Sequence, residues 1–202
     1  MIARLSQVAC RPVSRETIEK IGAYVALLRE ESARHNLVAA STLDGLWDRH
    51  IVDSAQLARF EPRSGASWAD VGSGAGLPGV VIACLVEGPV RLIEPRRLRA
   101  DFLHKLCESL HLNASVFVGK AERAEGEYEV ITARAVANLA KTLEISAHLS
   151  TRKTVWALPK GRNAVAELAE ARKAWQGMFH VEQSVTDADS HIVVATGVRA
   201  RR

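Results

Sequence analysis

The chain has few of the residues that mark special chemistry or special compartments. Cysteine occurs three times, at Cys10, Cys84 and Cys107. An odd number without metal-ligand spacing argues against a disulfide framework and against a cysteine-rich zinc site. Cys84 sits in the apolar run VVIACLV and Cys107 in a helical pattern, so both read as small core residues. Aromatic residues make up 5% of the chain, too few for a sheet that stacks bases on its face. No apolar run approaches the ~20 residues that span a bilayer. The opening MIARLSQVACRPVS lacks the apolar core of a signal peptide, and a soluble cytoplasmic protein is expected. Repeats, low-complexity tracts and interdomain linkers are absent. The seven histidines are scattered, so no metal is expected.

What is present is ordinary globular composition: 202 residues, 48% hydrophobic and 25% charged, enough for one substantial core. Basic residues outnumber acidic ones 27 to 23, a balance that permits an RNA partner without requiring one. The basic residues are uneven. Arg96, Arg97 and Arg99 cluster, Arg199, Arg201 and Arg202 end the chain, and Lys153, Lys160 and Arg162 lie close together.

Residues 1–62 form a helical extension, 63–198 an α/β core and 199–202 a basic tail expected to be disordered. Ser14 can cap a helix through Ile18, Ile21, Val25 and Leu28, and a second helical stretch spans Leu43–Leu57. Residues 34–37 are a turn between them. Beyond Pro62, β-rich runs at Trp68–Val71, Val90–Glu94, Ser115–Val118, Val130–Ala133 and Thr154–Leu158 alternate with helical patterns. The helices are expected over Pro78–Val86, Arg96–Leu110, Leu139–Leu149 and Ala164–Trp175. Such alternation predicts a mostly parallel sheet covered on both faces. Phe179–Val185 and His191–Thr196 have no helix between them and should close one edge as an antiparallel hairpin.

The segment Asp70-Val71-Gly72-Ser73-Gly74-Ala75-Gly76-Leu77-Pro78-Gly79 joins a strand to a helix. It lies at the carboxyl end of the first strand, where open α/β sheets bind ligands. Glu94 ends the next strand, where an acidic residue typically grips ribose hydroxyls. Gly74, Gly76 and Gly79 satisfy a dinucleotide fingerprint, which leaves an NAD(P)-dependent oxidoreductase as one reading. Asp70 tilts the balance, because a carboxylate there opposes a pyrophosphate and favours the ammonium and sulfonium charges of S-adenosylmethionine.

Asn36-Leu37, Arg49-His50-Ile51-Val52-Asp53-Ser54, the glycine loop, Lys120-Ala121-Glu122 and Thr132-Ala133-Arg134-Ala135-Val136-Ala137 follow one another in the order and spacing of a known family. In these segments the chain resembles the RsmG (GidB) family of bacterial small-subunit rRNA methyltransferases. The resemblance implies a class I methyltransferase fold, S-adenosylmethionine as donor, and N7 of the guanine at position 527 of 16S rRNA as target. It implies 16S rRNA or a small-subunit intermediate as partner; a monomer is the default expectation. By motif, Gly72 and Leu77 would contact the donor, Glu94 its ribose, and Ala121 and Glu122 its adenine. Arg134 would lie near the methyl-transfer centre as a positioning group. Lys160 and Gly161 match the family's Lys-Gly signature, and Lys160 would meet RNA phosphate or the target base. Two positions depart from the family: Lys120 replaces an arginine, and Leu98 a lysine.

His50 and Asp53, three apart on one helical face, either hold that helix against the sheet or face the target base. Arg96, Arg97, Arg99, Arg199, Arg201 and Arg202 are candidates for RNA phosphate, or else a solvated surface. A methyltransferase-like RNA-binding factor without activity is the remaining alternative; the intact loop, Glu94 and Arg134 argue against it.

Overall fold

The computed structural model describes residues 1–35, 37–39 and 43–201; Asn36 of the family motif and Arg202 of the basic tail lie outside them. The chain opens with α1 (Ile2–Ala9) and α2 (Arg15–His35). A π turn (Leu46–Ile51), a short α3 (Val52–Ala55) and a 3-10 turn (Gln56–Phe60) then run on without a break. Ser14 caps α2, its Oγ accepting the Thr17 N–H at 3.1 Å. The α1 helix lies upstream of the helical region read from the sequence. Its buried Leu5 and Ala9 make a single four-residue step, too short a signal to separate from chance.

The stretch expected as one helix over Leu43–Leu57 changes type along its length. Leu46 and Ile51 are both buried although five residues apart. A π turn brings such residues to one face, whereas 3.6 residues per turn would splay them.

The sheet alternates with its crossovers as expected: β1 (Trp68–Val71), α4 (Gly79–Leu85), β2 (Val90–Glu94), α5 (Arg97–Ser109), β3 (Ala114–Val118), β4 (Tyr128–Ala133), α6 (Leu139–Ser146), β5 (Ser150–Pro159), α7 (Ala164–Ala171), β6 (Trp175–Gln183) and β7 (His191–Ala200). The order is β3-β2-β1-β4-β5-β7-β6, the first five parallel and β7 antiparallel to both neighbours. The hairpin is longer than the sequence suggests. The helix expected to reach Trp175 stops at Ala171, and Trp175 opens β6, paired with Ala200. The tail expected to be disordered is ordered through Arg201, because the ladder continues and the Arg201 N–H donates to Ala174 O at 2.7 Å.

Each face of the sheet carries its own apolar layer. Trp68 of β1 packs with Leu5, Ile21, Leu28 and Ile51 of the N-terminal helices, while Ala69 and Val71 face α6 and α7 on the other side. The N-terminal segment therefore shares a core with the sheet. Among the described residues no helix is long and apolar enough to cross a membrane.

Tyr24 of α2 makes the closest tie between the two parts. It is fully buried, and its hydroxyl donates to Ala75 O of the glycine loop at 2.9 Å. Burial raises its pKa, so the group stays a donor. Tyr24→Phe removes this donor and leaves a buried carbonyl unpaired. Urea unfolding should then show a loss of about 1–3 kcal/mol. An unchanged midpoint would mean that the bond contributes nothing net.

Candidate active site

Ligands of open parallel sheets bind where the strand order reverses. Here β2 lies on one side of β1 and β4 on the other, so the reversal falls between β1 and β4. A cavity of about 440 Å³ opens there, walled by Gly72 to Ala75 and Leu77 on one side and by Arg134 and Ala135 on the other. Leu37, Val38, Ala39, His50 and Arg99 complete it.

The glycine loop is shaped by bonds from its surroundings. Gly72 N–H and Ser73 N–H donate to Ile93 O at 2.8 and 3.0 Å. Gly74 N–H donates to Glu94 Oε2 at 2.8 Å, and Gly79 N–H to Asp70 Oδ2 at 3.0 Å. Gly72 has φ +70°, and a Cβ there would lie 2.5 Å from Val136 Cγ2, so only glycine fits. At Gly79 a Cβ would lie 2.4 Å from Asp70 Oδ2. These four N–H groups are already paired, so the loop does not offer the row of open donors that a pyrophosphate needs. That weighs against the dinucleotide reading.

Asp70 corrects an expectation. It is 1% exposed and does not line the cavity, so its carboxylate lies beneath the loop instead of facing a ligand. Burial pushes its pKa up to about 7, partly offset by the Gly79 N–H and by Arg134. Oδ1 has no hydrogen-bond partner among the described residues, which leaves a buried acceptor directly under the loop. Glu94 is 3% exposed and bridges two segments, Oε2 to Gly74 N and Oε1 to Arg96 N at 2.9 Å. Ala121 is buried and Glu122 exposed in the 3-10 turn after β3.

Arg134 follows β4 and gathers the N-terminal segment. Its Nη1 lies 3.1 Å from His50 Nδ1 and 3.8 Å from Asp53 Oδ2. Burial, and then the Arg134 charge, lower the His50 pKa, so the ring is neutral with Nδ1 as acceptor and the proton on Nε2. Through Arg134 the pair ties the helical segment to the sheet, and His50, though not Asp53, also lines the cavity.

The candidate RNA contacts separate. Lys160 is no surface lysine: its side chain is 6% exposed, and Nζ donates to Ala137 O at 2.7 Å and lies 3.3 Å from Glu167 Oε2. Burial lowers its pKa, with Glu167 opposing. A phosphate would have to displace both partners. Arg99 is half-buried and lines the cavity beside the glycine loop, whereas Arg96 and Arg97 are exposed. Arg97 pairs with Asp101 at 3.1 Å on the exposed face of α5. Leu98 and Lys120 are exposed. Arg199 and Arg201 border a cavity of about 520 Å³ with Arg152. Arg152 begins β5, so this patch lies at the opposite end of the sheet from the glycine loop.

Sequence reasoning missed Tyr24, Gln56 and Glu167. Each is a polar side chain buried in whole or part whose partner is distant in sequence: Ala75 O for Tyr24, Val185 N for Gln56, Leu139 N for Glu167. Only for Tyr24 is there a signal, a tyrosine three residues from the apolar Ile21, which needs a partner for its hydroxyl when buried.

The family model described as rRNA small subunit methyltransferase G (GidB) matches residues 17–193. The chain is 45% identical over 199 residues to Ribosomal RNA small subunit methyltransferase G of Zymomonas mobilis, covering 94% of this chain and 90% of that one. To the protein of the same name in Sphingopyxis alaskensis it is 49% identical over 187 residues, covering 91% and 80%. Among solved structures, a TehB-like SAM-dependent methyltransferase from Corynebacterium glutamicum superposes with TM-score 0.58 at 15% identity, over 85% of this chain and 98% of that one. M. jannaschii TYW2 in complex with AdoMet gives 0.56 at 14% identity, over 75% and 76%. At those identities the likeness is one of fold.

The Asp70 pKa has a consequence for stability. The folded value of about 7 lies above the ordinary 3.8 of the unfolded chain. A raised carboxyl stabilises fully below the lower value, and that contribution is lost as pH rises through the upper one. The stability of wild type relative to Asp70→Asn should therefore fall between about pH 4 and pH 7 and then level off. Urea midpoints of the two proteins across that range give the difference. A difference independent of pH would show that Asp70 titrates normally.

Proposed function

Because the chain belongs to the rRNA small subunit methyltransferase G family, we propose that its target is N7 of the guanine at position 527 of 16S rRNA. The protein is an S-adenosylmethionine-dependent rRNA methyltransferase. What supports the finer reading is the family match over residues 17–193. The cavity at the strand-order reversal, where a glycine loop braced by carboxylates faces Arg134 and Arg99, offers the place for the donor.

The residues present fit the donor. Glycine at position 72 allows the positive φ of the loop and the close packing of Val136, which together set the cavity wall on that side. Arg99 and Arg134 suit the carboxylate of an amino-acid group. Each Glu94 oxygen takes one N–H and retains a lone pair for a ribose hydroxyl. Ala121 and Glu122 would border the adenine. When bound, S-adenosylmethionine supplies a sulfonium-bound methyl group that a neutral ring nitrogen takes with its lone pair, leaving S-adenosylhomocysteine and a cationic base, with no proton released.

Guanine N7 carries an in-plane lone pair and no proton. The chain therefore needs no general base, a device that contributes ~10²–10⁴ where a proton must move. Its task is alignment. Arg134 is the positioning residue: its planar guanidinium is held by His50 at the wall of the donor cavity. His50 accepts that bond as a neutral ring and moves no proton.

The test is methylation of 16S rRNA or small subunits lacking the modification, with the methyl group mapped by chemical cleavage at 7-methylguanine. A single new site at position 527 is expected; a different base or ring position overturns the proposal. At saturating donor the single-turnover rate should be nearly flat from about pH 5 to 9, a window that extends below the ordinary histidine range because the His50 pKa is lowered. A bell-shaped profile that disappears in His50→Ala would make His50 a base. Glu94→Gln should weaken S-adenosylhomocysteine binding by about tenfold or more in calorimetry. Unchanged affinity would remove Glu94 from the donor site.

A further inference from the structure

Three cavities meet at one cluster of side chains. The donor cavity is bordered by His50 and Arg134. A second, of about 340 Å³, lies against Pro159 and Lys160 and is bordered by Arg134 and Asp53. A third, of about 720 Å³, lies against Thr186 and Asp187 in the β6–β7 connection and is bordered by His50 and Asp53. Each of the three residues is thus a wall between two cavities. With the donor in the first, the acceptor base has the other two as its approach, and Asp53 lies between them.

The two oxygens of Asp53 are unequal. Oδ1 accepts from Gln56 Nε2 at 2.7 Å and from Thr186 Oγ1 at 2.8 Å. Oδ2 accepts no hydrogen bond among the described residues and lies 3.8 Å from Arg134 Nη1. The side chain is 19% exposed, so this oxygen keeps access to a ligand. Gln56 is itself buried and held by the Val185 N–H at 3.0 Å. The carboxylate is oriented from behind while one oxygen, facing Arg134, accepts no hydrogen bond among the described residues.

We propose that Asp53 reads the Watson–Crick edge of the target guanine, its Oδ2 accepting from N1–H and N2–H together while N7 is turned to the donor cavity. This rests on the guanine-N7 reading above. The edge that carries N7 and O6 must face the methyl group, so recognition is left to the N1–N2 edge. Guanine presents two adjacent donors there, whereas adenine presents an acceptor at N1. A carboxylate only accepts, so it binds the first and repels the second. The same contact assists the transfer. As N7 gains the methyl group the ring becomes cationic and N1–H more acidic, so its bond to Asp53 strengthens on the way to the transition state. Asp53 also offsets the Arg134 charge, which would otherwise oppose a cation forming beside it.

The test replaces the target guanosine with inosine, which lacks the N2 amino group, in 16S rRNA joined by ligation and presented in the form that wild type methylates. Single-turnover rates and apparent RNA affinities are measured for wild type, Asp53→Asn and Thr186→Val. Wild type should lose at least about tenfold on inosine. Asp53→Asn should be slowed on guanosine by a comparable factor and lose little more on inosine. Thr186→Val, which only loosens the carboxylate from behind, should narrow the guanosine-to-inosine ratio and so covers the case in which Asp53→Asn does not fold. S-adenosylhomocysteine affinity should stay within about twofold of wild type in both variants. Equal inosine penalties in all three proteins, or no penalty in wild type, overturn the assignment of Asp53. Mass mapping of the wild-type product separates this from the functional reading. A methyl group on any atom other than guanine N7 defeats that reading, whereas guanine N7 methylated without an inosine penalty defeats only the role of Asp53.

Discussion

A loop built of glycine, serine and alanine cannot hold its own shape, and the geometry of the site depends on what holds it. Two carboxylates at neighbouring strand ends do so, each by accepting a backbone N–H of the loop. They are in reach because β1 and β2 pair in register, Val71 beside Ile93, which sets Asp70 and Glu94 at the same edge of the sheet. Burying a carboxylate is unfavourable unless its acceptors are used. Glu94 meets that condition with one backbone N–H on each oxygen, and Asp70 meets it on one oxygen only. Burial accordingly raises the pKa of Asp70.

From that anchored loop the site extends through long-range pairs. Tyr24 fixes the N-terminal helices against the loop, and Arg134 draws in His50 and Asp53. Gln56 and Arg59 join the same segment to the β6–β7 hairpin, through Ser184 and Glu182. The extension and the hairpin therefore wall the cavities around Asp53 together, while the parallel strands carry the cavity at the glycine loop. The π turn ahead of α3 belongs to this arrangement: it accommodates Leu46 and Ile51 in the core while the residues between and after them border the cavities. Lys160 and Glu167 brace the turn after β4 in the same way, by bonding Ala137 O and Leu139 N.

Elements whose signal is local were legible. Four- and five-residue β-rich runs alternating with helical periods located β1 to β4 and their crossovers, and the short gap before His191 announced an antiparallel hairpin. Boundaries failed where a neighbour decides them. Trp175 reads as the end of a helix, but pairing with Ala200 draws it into β6. Arg199 and Arg201 read as a loose tail, but the ladder and Ala174 O hold them. The stretch around His50 reads as a plain helix, since periodicity over so few residues does not separate a π turn from an α-helix.

The sequence by itself determined the fold class, the family and the residues at the strand ends. Those depend on periodicity, turn chemistry and motif spacing, all carried by near neighbours in the chain. Tertiary structure alone decided what each of those residues touches. Asp70 reads as a ligand contact and lies beneath the loop; Lys160 reads as an exposed cation and lies paired inside; Arg99 reads with the exposed Arg97 and lines the cavity instead. The physical reason is common to all three. A charged side chain is placed by the desolvation it suffers and the partners it finds, and here those partners, Gly79 N, Ala137 O and the glycine loop, are brought within reach only when the sheet is assembled.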